Sequence, residues 1–466
     1  MLASPHEEEP KMGNLTADIG AFLSDIKYRD IPEDLLPVVR DAFTDTVGVI
    51  MAGIDLPLAE ILRKTLVEPA GRTETRACLS SHMVDGPGAA LLAGAIAHAL
   101  DYGCQTASGH PGGVIIPAIL AEAEVLGSSG EDMVTAFVAG YETWCEVWRR
   151  NKYYHKAGWH PTALLGPIAS AAACSVLRKL SAEKAQMAIA IAASHAGGLF
   201  SNFGSMTKGY HSGKAARDGL VAARLADAGM TGGPDALEHP QGYLAAFSSN
   251  GVPDLDSPSQ LGKQWYLPRN KLQFKMHPSC FFSHRSFEGT LAMIKDRDIK
   301  PEEVESVEVQ MGRGQVTVLT HHQPKTMYQA QFSGPFGIAA AVILGRFGPP
   351  EIKDEVVNRP DMQAFYPKVT LIPIDEEDPR DPVFSPTERV IMKMKDGEVL
   401  DSGPIATIPG YAAEPLTKDE LWGKFRDCTQ FTHSDDEAKA LFYLLQKVEQ
   451  LASAKDLPTC TTIFKD

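Results

Sequence analysis

The stretch GAALLAGAIAHAL, Gly88–Leu100, decides the fold. Alanine costs little in a helix, and a helix apolar on nearly every side must be surrounded by other elements rather than lie on a surface. Its small side chains let neighbouring helix axes approach closely. ASAAACSVL, Ala169–Leu177, has the same character. Around these two central helices the helical period repeats, divided by short Gly/Pro/Ser signals, over Leu36–Met51, Leu58–Leu66, Val114–Leu126, Glu131–Arg149, Thr162–Leu177, Ala182–Ala196 and Gly213–Ala228. An all-helical body follows.

After Gln273 the period changes. VESVEVQM, Val304–Met311, alternates as a strand with one buried face, and RVIMKMKDGEVL, Arg389–Leu400, does likewise with a turn at Asp396–Gly397. Gly334–Leu344 reads as a helix and Lys368–Ile372 as a short strand. Ile374–Pro386, IDEEDPRDPVFSP, reads as a solvated surface loop. A helical period returns at Ala438–Leu451. The expected fold is mainly α: a large helical domain made of 12–269 and 406–466, with a smaller α/β lid domain, 270–405, inserted between them.

A formal net charge of -15 provides no general basic face, so neither nucleic acid nor a membrane is an expected partner. The apolar run Pro161–Leu177 is mostly alanine broken by serine and proline, which suits a buried helix better than a spanning one. Seven scattered cysteines with no CxxC pair fit a reducing compartment. The first residues, MLASPHEEEPKMG, have neither secretory nor organelle-targeting character, so cytoplasmic residence is the default expectation.

Three glycine-rich islands look built for chemistry: SGHPGG, Ser108–Gly113; GWHP, Gly158–Pro161; and GSMTKGYHSGK, Gly204–Lys214. His110 and His160 each stand before a proline that opens an apolar helix, where unpaired amides attract anions. Asp101 closes the helix containing His98 and lies near enough in sequence to meet His110 through a loop. An aspartate there orients the imidazole or exchanges its proton. Lys208 is placed to pair with a substrate carboxylate, with the Ser205 and Thr207 hydroxyls beside it and His211 behind it. NKLQFKMHPSCFFSH, Asn270–His284, brings Lys271, Lys275, His277, Cys280 and His284 to the boundary between the two domains, a natural cleft. No GxSxG, Walker, HExxH or Rossmann signature occurs, and neither a metal nor an organic cofactor is indicated.

At these islands the sequence resembles the MmgE/PrpD family. The resemblance rests on AHALDYGCQTASGHPGGVIIPAILAEAE, GWHPTALLGPIASAAA, GSMTKGYHSGKAARDGLVAARLA, FKMHPSCFFSH and QFSGPFGIAAAV, in this order between Ala97 and Val342. It implies a homodimer, a helical domain with an α/β lid, and a cofactor-free pocket for small polycarboxylic acids between them. It also implies that the pocket aspartate is Asp101, the histidines His110 and His160, and the lysines Lys208 and Lys275.

Two positions depart from the family's decarboxylases. Tyr102–Gln105 replaces further aspartate and threonine, and Cys280 stands where those enzymes have an interdomain histidine, a place that His277 or His284 would have to fill in space. The expected activity is therefore dehydration of a citrate-like or alkylcitrate-like acid. Asp101, His110, His160 and Lys208 are the expected catalytic residues, with Lys275, His277, Ser205 and Cys280 binding substrate. The alternatives are decarboxylation of a cis-aconitate-like acid, epimerisation of a dicarboxylic acid, or a helical interaction protein without activity.

Overall fold

The computed structural model describes residues 13–460 apart from 69–70, 72, 153, 249–250 and 380–382. The acidic start of the chain, the expected domain edges at 12 and 466, and three residues of the proline-bearing loop lie outside the described residues. The chain is mainly α.

The central helix runs Gly86–Ala99, and every alanine and glycine in it is buried. It packs against Met206–Asp227, which in turn packs on Pro161–Leu177. Glycine sets the closest approach: a Cβ on Gly213 would lie 2.1 Å from the Leu91 carbonyl oxygen, and one on Gly94 3.0 Å from the Gly213 Cα. Around this trio stand Leu36–Gly53, Gly112–Leu126, Gly130–Arg150 and Ala182–Ala193. Leu15–Asp25, which sequence periodicity did not single out, packs on Ala182–Ala193.

One boundary needs correcting. The helix expected from Gly213 begins at Met206, so Lys208 and His211 lie inside it rather than on a glycine-broken loop. Gly209 and Gly213 are packing glycines; a Cβ on Gly209 would lie 2.7 Å from the Leu58 Cδ2 and 3.1 Å from the Ala95 carbonyl oxygen. Their helix cost, about 1 kcal/mol each, is offset by the contact they permit.

Strands β1 (Thr75–Arg76) and β2 (Met83–Val84) form a small antiparallel pair on the helical body. The main sheet has the order β4-β3-β5-β6, with β3 Val304–Gly312, β4 Val369–Ile374, β5 Arg389–Met394 and β6 Val399–Asp401. β3 and β4 are parallel, Val307 opposite Val369; the other pairings are antiparallel, Val309 facing Val390. Val307, Val309 and Met311 bury one face of β3, and Val390, Met392 and Met394 do so on β5. A register shift between Val304 and Ser306 buries Val304 and leaves Glu305 exposed, against the plain alternation. His284–Ile294 and Gly334–Ala339 pack on this sheet, the latter continuing as a π turn through Leu344.

Two helices close the chain, Lys418–Thr429 and Asp435–Leu445. Both begin with capping boxes, Thr417 with Glu420 and Ser434 with Glu437. Both pack on Leu36–Gly53, where a Cβ on Gly48 would lie 2.9 Å from the Phe425 ring. The apolar core of the first 274 residues accordingly also contains Leu421, Phe425, Leu441 and Leu445. A second core lies under the sheet and reaches Leu100 and Tyr102 of the helical body. Among the described residues no helix is long and apolar enough to cross a membrane. All seven cysteines are free and buried.

Candidate active site

Leu100 ends the central helix and the chain turns sharply at Asp101, whose φ of 49° is left-handed. Such a conformation costs a residue with a Cβ about 1 kcal/mol or more. Asp101 is nevertheless buried, and its Oδ1 accepts from Lys208 Nζ at 2.9 Å and lies 3.0 Å from Lys275 Nζ. Lys275 also donates to the Asp101 carbonyl at 2.7 Å and to the Ser279 carbonyl at 3.0 Å. The strained turn thus places one carboxylate between two buried ammonium groups. Burial opposes its ionisation, but Lys208 and Lys275, with His110, outweigh that and hold the Asp101 carboxyl well below the usual carboxylate range.

Lys208 donates to His98 Nε2 at 2.8 Å as well, and its ammonium stands 5.0 Å from the Phe203 ring centre and 5.3 Å from that of Phe332. Desolvation lowers its pKa; Asp101 works in the opposite direction. In the sequence only the place of His98, three residues before Asp101 on the same helix, signals that it reaches this cluster.

His110 and His160 meet through their islands. The His110 amide donates to Thr162 Oγ1 at 3.2 Å, in the first turn of the helix that His160 N-caps. His110 Nδ1 lies 3.3 Å from the Cys104 carbonyl, which can only accept, so the Nδ1 carries a proton. Its Nε2 lies 3.4 Å from Asp101 Oδ1. Burial, then the lysines, lower the His110 pKa far below normal. A neutral His110 therefore turns an Nε2 lone pair toward the carboxylate, and taking up a proton converts that contact from repulsive to attractive. This is the arrangement of a general base. His160 pairs Nδ1 to Nδ1 with His211 at 3.2 Å and meets the Phe203 ring edge-on. Burial and Lys208 keep it neutral.

Most of these groups border one cavity, about 820 Å³ with its open mouth included. Asp101, His110, His160, Lys208, Lys275 and Cys280 all border it. Gln105–Ser108 line it rather than fill it, and Gln105 is tied by reciprocal backbone hydrogen bonds to Gln273 beside it on the wall. Phe332 and Phe203, both packed in the second core, supply apolar surface. The loop read as a solvated surface contributes Val383 and Phe384 to the wall, and its Asp378 is buried.

Two expected ligands are elsewhere. His277 faces the Phe347 carbonyl at 3.0 Å and Glu288 at 2.7 Å, among Phe287 and Phe347, and does not border the cavity. The Ser205 hydroxyl donates to the Asn202 carbonyl at 2.7 Å, a turn before the Met206 helix. His284 is turned to the Ser279 carbonyl at 3.3 Å and is also outside the wall. Neither histidine therefore stands in for Cys280, whose thiol burial pushes up to about 11 and so keeps protonated. Lys214, bound to Asp218 and the His195 carbonyl, is structural. Lys271 lies in a neighbouring groove.

His98, Asp101 and His110 bring possible metal-ligating atoms within 4.8 Å of one another. Lys208 already bonds both His98 Nε2 and the Asp101 oxygen that Lys275 also faces. A divalent ion would have to displace or abut these ammonium groups, so the donor set suits a cation already supplied by the chain.

The chain is therefore a mainly helical protein with a buried cavity of lysines, histidines and one aspartate, walled by a small mixed sheet unit. Residues 17–256 match the MmgE/PrpD N-terminal domain and residues 277–449 the MmgE/PrpD C-terminal domain, so the chain belongs to the MmgE/PrpD family. It is 28% identical over 396 residues to cis-aconitate decarboxylase of Mus musculus, covering 81% of this chain and 78% of that protein. The Homo sapiens protein of the same name is also 28% identical, covering 81% and 79%. The cis-aconitate decarboxylase-like protein oryM of Aspergillus oryzae is 25% identical over 479 residues, 96% of either chain.

Proposed function

We propose that the chain is a lyase acting on a small citrate- or aconitate-like polycarboxylic acid, and that its reaction is loss of carbon dioxide from a cis-aconitate-like acid. The observation that carries this reading is the pair of buried ammonium groups, Lys208 and Lys275, sharing the Asp101 carboxylate beside two neutral histidines. Two positive charges against one negative leave the cavity attractive to a polyanion. The relatives' names support the choice of decarboxylation over the dehydration expected from Tyr102–Gln105 and Cys280.

In this reading the lysines hold substrate carboxylates, while Phe203 and Phe332 strip water from the one that leaves. Its carbon–carbon bond breaks, the electron pair stays on a skeleton conjugated with a neighbouring carboxylate, and one proton is added at carbon as carbon dioxide departs. Lys208, made a better acid by burial, is the proposed donor. The α/β unit serves as a lid, because Val318, Phe332 and Phe384 close the cavity from its side. Assembly as a homodimer belongs to the same proposal.

Dehydration is the second reading, favoured by His110, whose free Nε2 is a base rather than an acid. Mass spectrometry over a panel of cis-aconitate, citrate, alkylcitrates and malate separates the two. Carbon dioxide with an unsaturated dicarboxylate supports the first, loss of water supports the second, and an unchanged panel rejects both.

A further inference from the structure

The turn that presents Asp101 and His110 is held from a part of the chain more than three hundred residues away. Lys424, on the C-terminal helix Lys418–Thr429, is buried and donates to the Tyr102 carbonyl at 2.9 Å. The same ammonium is 2.5 Å from Asp45 Oδ1, on the Leu36–Gly53 helix. The other oxygen of Asp45, also buried, accepts the Cys104 amide at 2.8 Å. One ion pair therefore grips the backbone on both sides of Gly103, through a carbonyl and an amide.

Each gripped residue leads to a reacting group. Tyr102 follows Asp101 directly, and its ring lies 4.1 Å under the Lys424 ammonium. Its hydroxyl donates to the Met276 carbonyl at 3.1 Å, next to Lys275. The Cys104 carbonyl is the acceptor that fixes the proton of His110 on Nδ1. Asp101 itself sits in a left-handed conformation that persists only where its surroundings overdetermine it. A buried ion pair is a poor stabiliser compared with apolar packing of the same volume, so its place here calls for another role.

We infer that Asp45 and Lys424 are positioning residues: as a pair they lock the Tyr102–Cys104 backbone, and through it set the direction of Asp101 and the tautomer and orientation of His110. The C-terminal helix is thereby part of the catalytic apparatus, although it contributes nothing to the cavity wall. The inference rests on the reading of Asp101 and His110 as reacting groups.

The test replaces both partners together, Asp45→Leu with Lys424→Met, so that no buried charge is left unpaired. The thermal midpoint should fall, because the Tyr102 carbonyl and the Cys104 amide lose their partners; kcat should fall on the order of 100-fold, as for small misplacements of reacting groups, and KM should change little. The deciding measurement is NMR of the full-length chain with labelled histidine, the His110 ring signals being assigned with His110→Gln. Displaced His110 signals in the double variant support the lock; signals that stay in place overturn it, whatever happens to kcat. If the double variant does not fold, Lys424→Arg, which keeps the charge but not the reach, is read by the same displacement. The NMR measurement needs no substrate, so an acid panel without turnover would count against the proposed reaction alone.

Discussion

Replacing Asp101 by asparagine removes the charge that Lys208 and Lys275 both face while keeping the side chain's size. Breaking one partner out of a buried set leaves the others uncompensated, which costs about 3–5 kcal/mol. Asp101→Asn should therefore lower the urea midpoint clearly and abolish turnover, whereas His110→Gln should abolish turnover with little loss of stability. His211 supplies a pH-dependent test. Burial, then Lys208 and Lys214, depress its pKa from 6.5 to about 4. Between those values the unfolded chain binds the proton and the folded chain does not, so stability is full above pH 6.5 and declines as pH falls towards 4. His211→Gln should flatten that decline in thermal melts taken across the window. At this scale glycine and proline punctuation points in the sequence to His110, His160 and Lys208, and the domain boundary after Gln273 points to Lys275. The sequence does not separate them from His277 and Ser205, because residue type and spacing do not say which way a side chain turns.

Gly213 tests the helix packing on which the site's lysine depends. Its missing Cβ leaves room for the Leu91 carbonyl, so Gly213→Ala should push Met206–Asp227 away from Gly86–Ala99. The expected cost is about 1–3 kcal/mol, with a loss of turnover as Lys208 moves relative to Asp101. Gly423 is the control: nothing lies within 4 Å of a Cβ built there, so Gly423→Ala should be neutral or stabilise its helix by up to about 1 kcal/mol. Chemical denaturation compares the two. The start of the Met206 helix is not legible in the sequence, because Gly209 and Gly213 weaken local helix propensity; only the neighbouring helix shows why they are there. The Lys418–Thr429 helix was missed although Thr417 and Glu420 form a capping box readable from sequence.

The cavity belongs to neither packing unit alone. Lys208 stands on the helical body, yet Phe332, beside its ammonium, comes from the sheet unit. Phe332→Ala should admit water, relieve the desolvation that lowers the Lys208 pKa, and raise that pKa. If Lys208 acts as the acid, it then stays protonated to higher pH, and the alkaline limb of the kcat profile should shift upward. An unmoved limb would separate Lys208 from the titrating group.

That the chain is mainly helical, that strands follow Gln273, and which residue types are available for acid and base work can all be read along the sequence. This is so because alanine content, a helical or twofold period, and turn residues act through neighbours along the chain. The packed fold alone brings Lys208 and Lys275, 107 and 174 residues beyond Asp101, to its single turn. It also decided that His277 faces Glu288 instead of the cavity, and that Lys424 reaches Tyr102. Those outcomes depend on how closely whole helices and a sheet pack, which glycine gaps and buried apolar surface set collectively and no local pattern records.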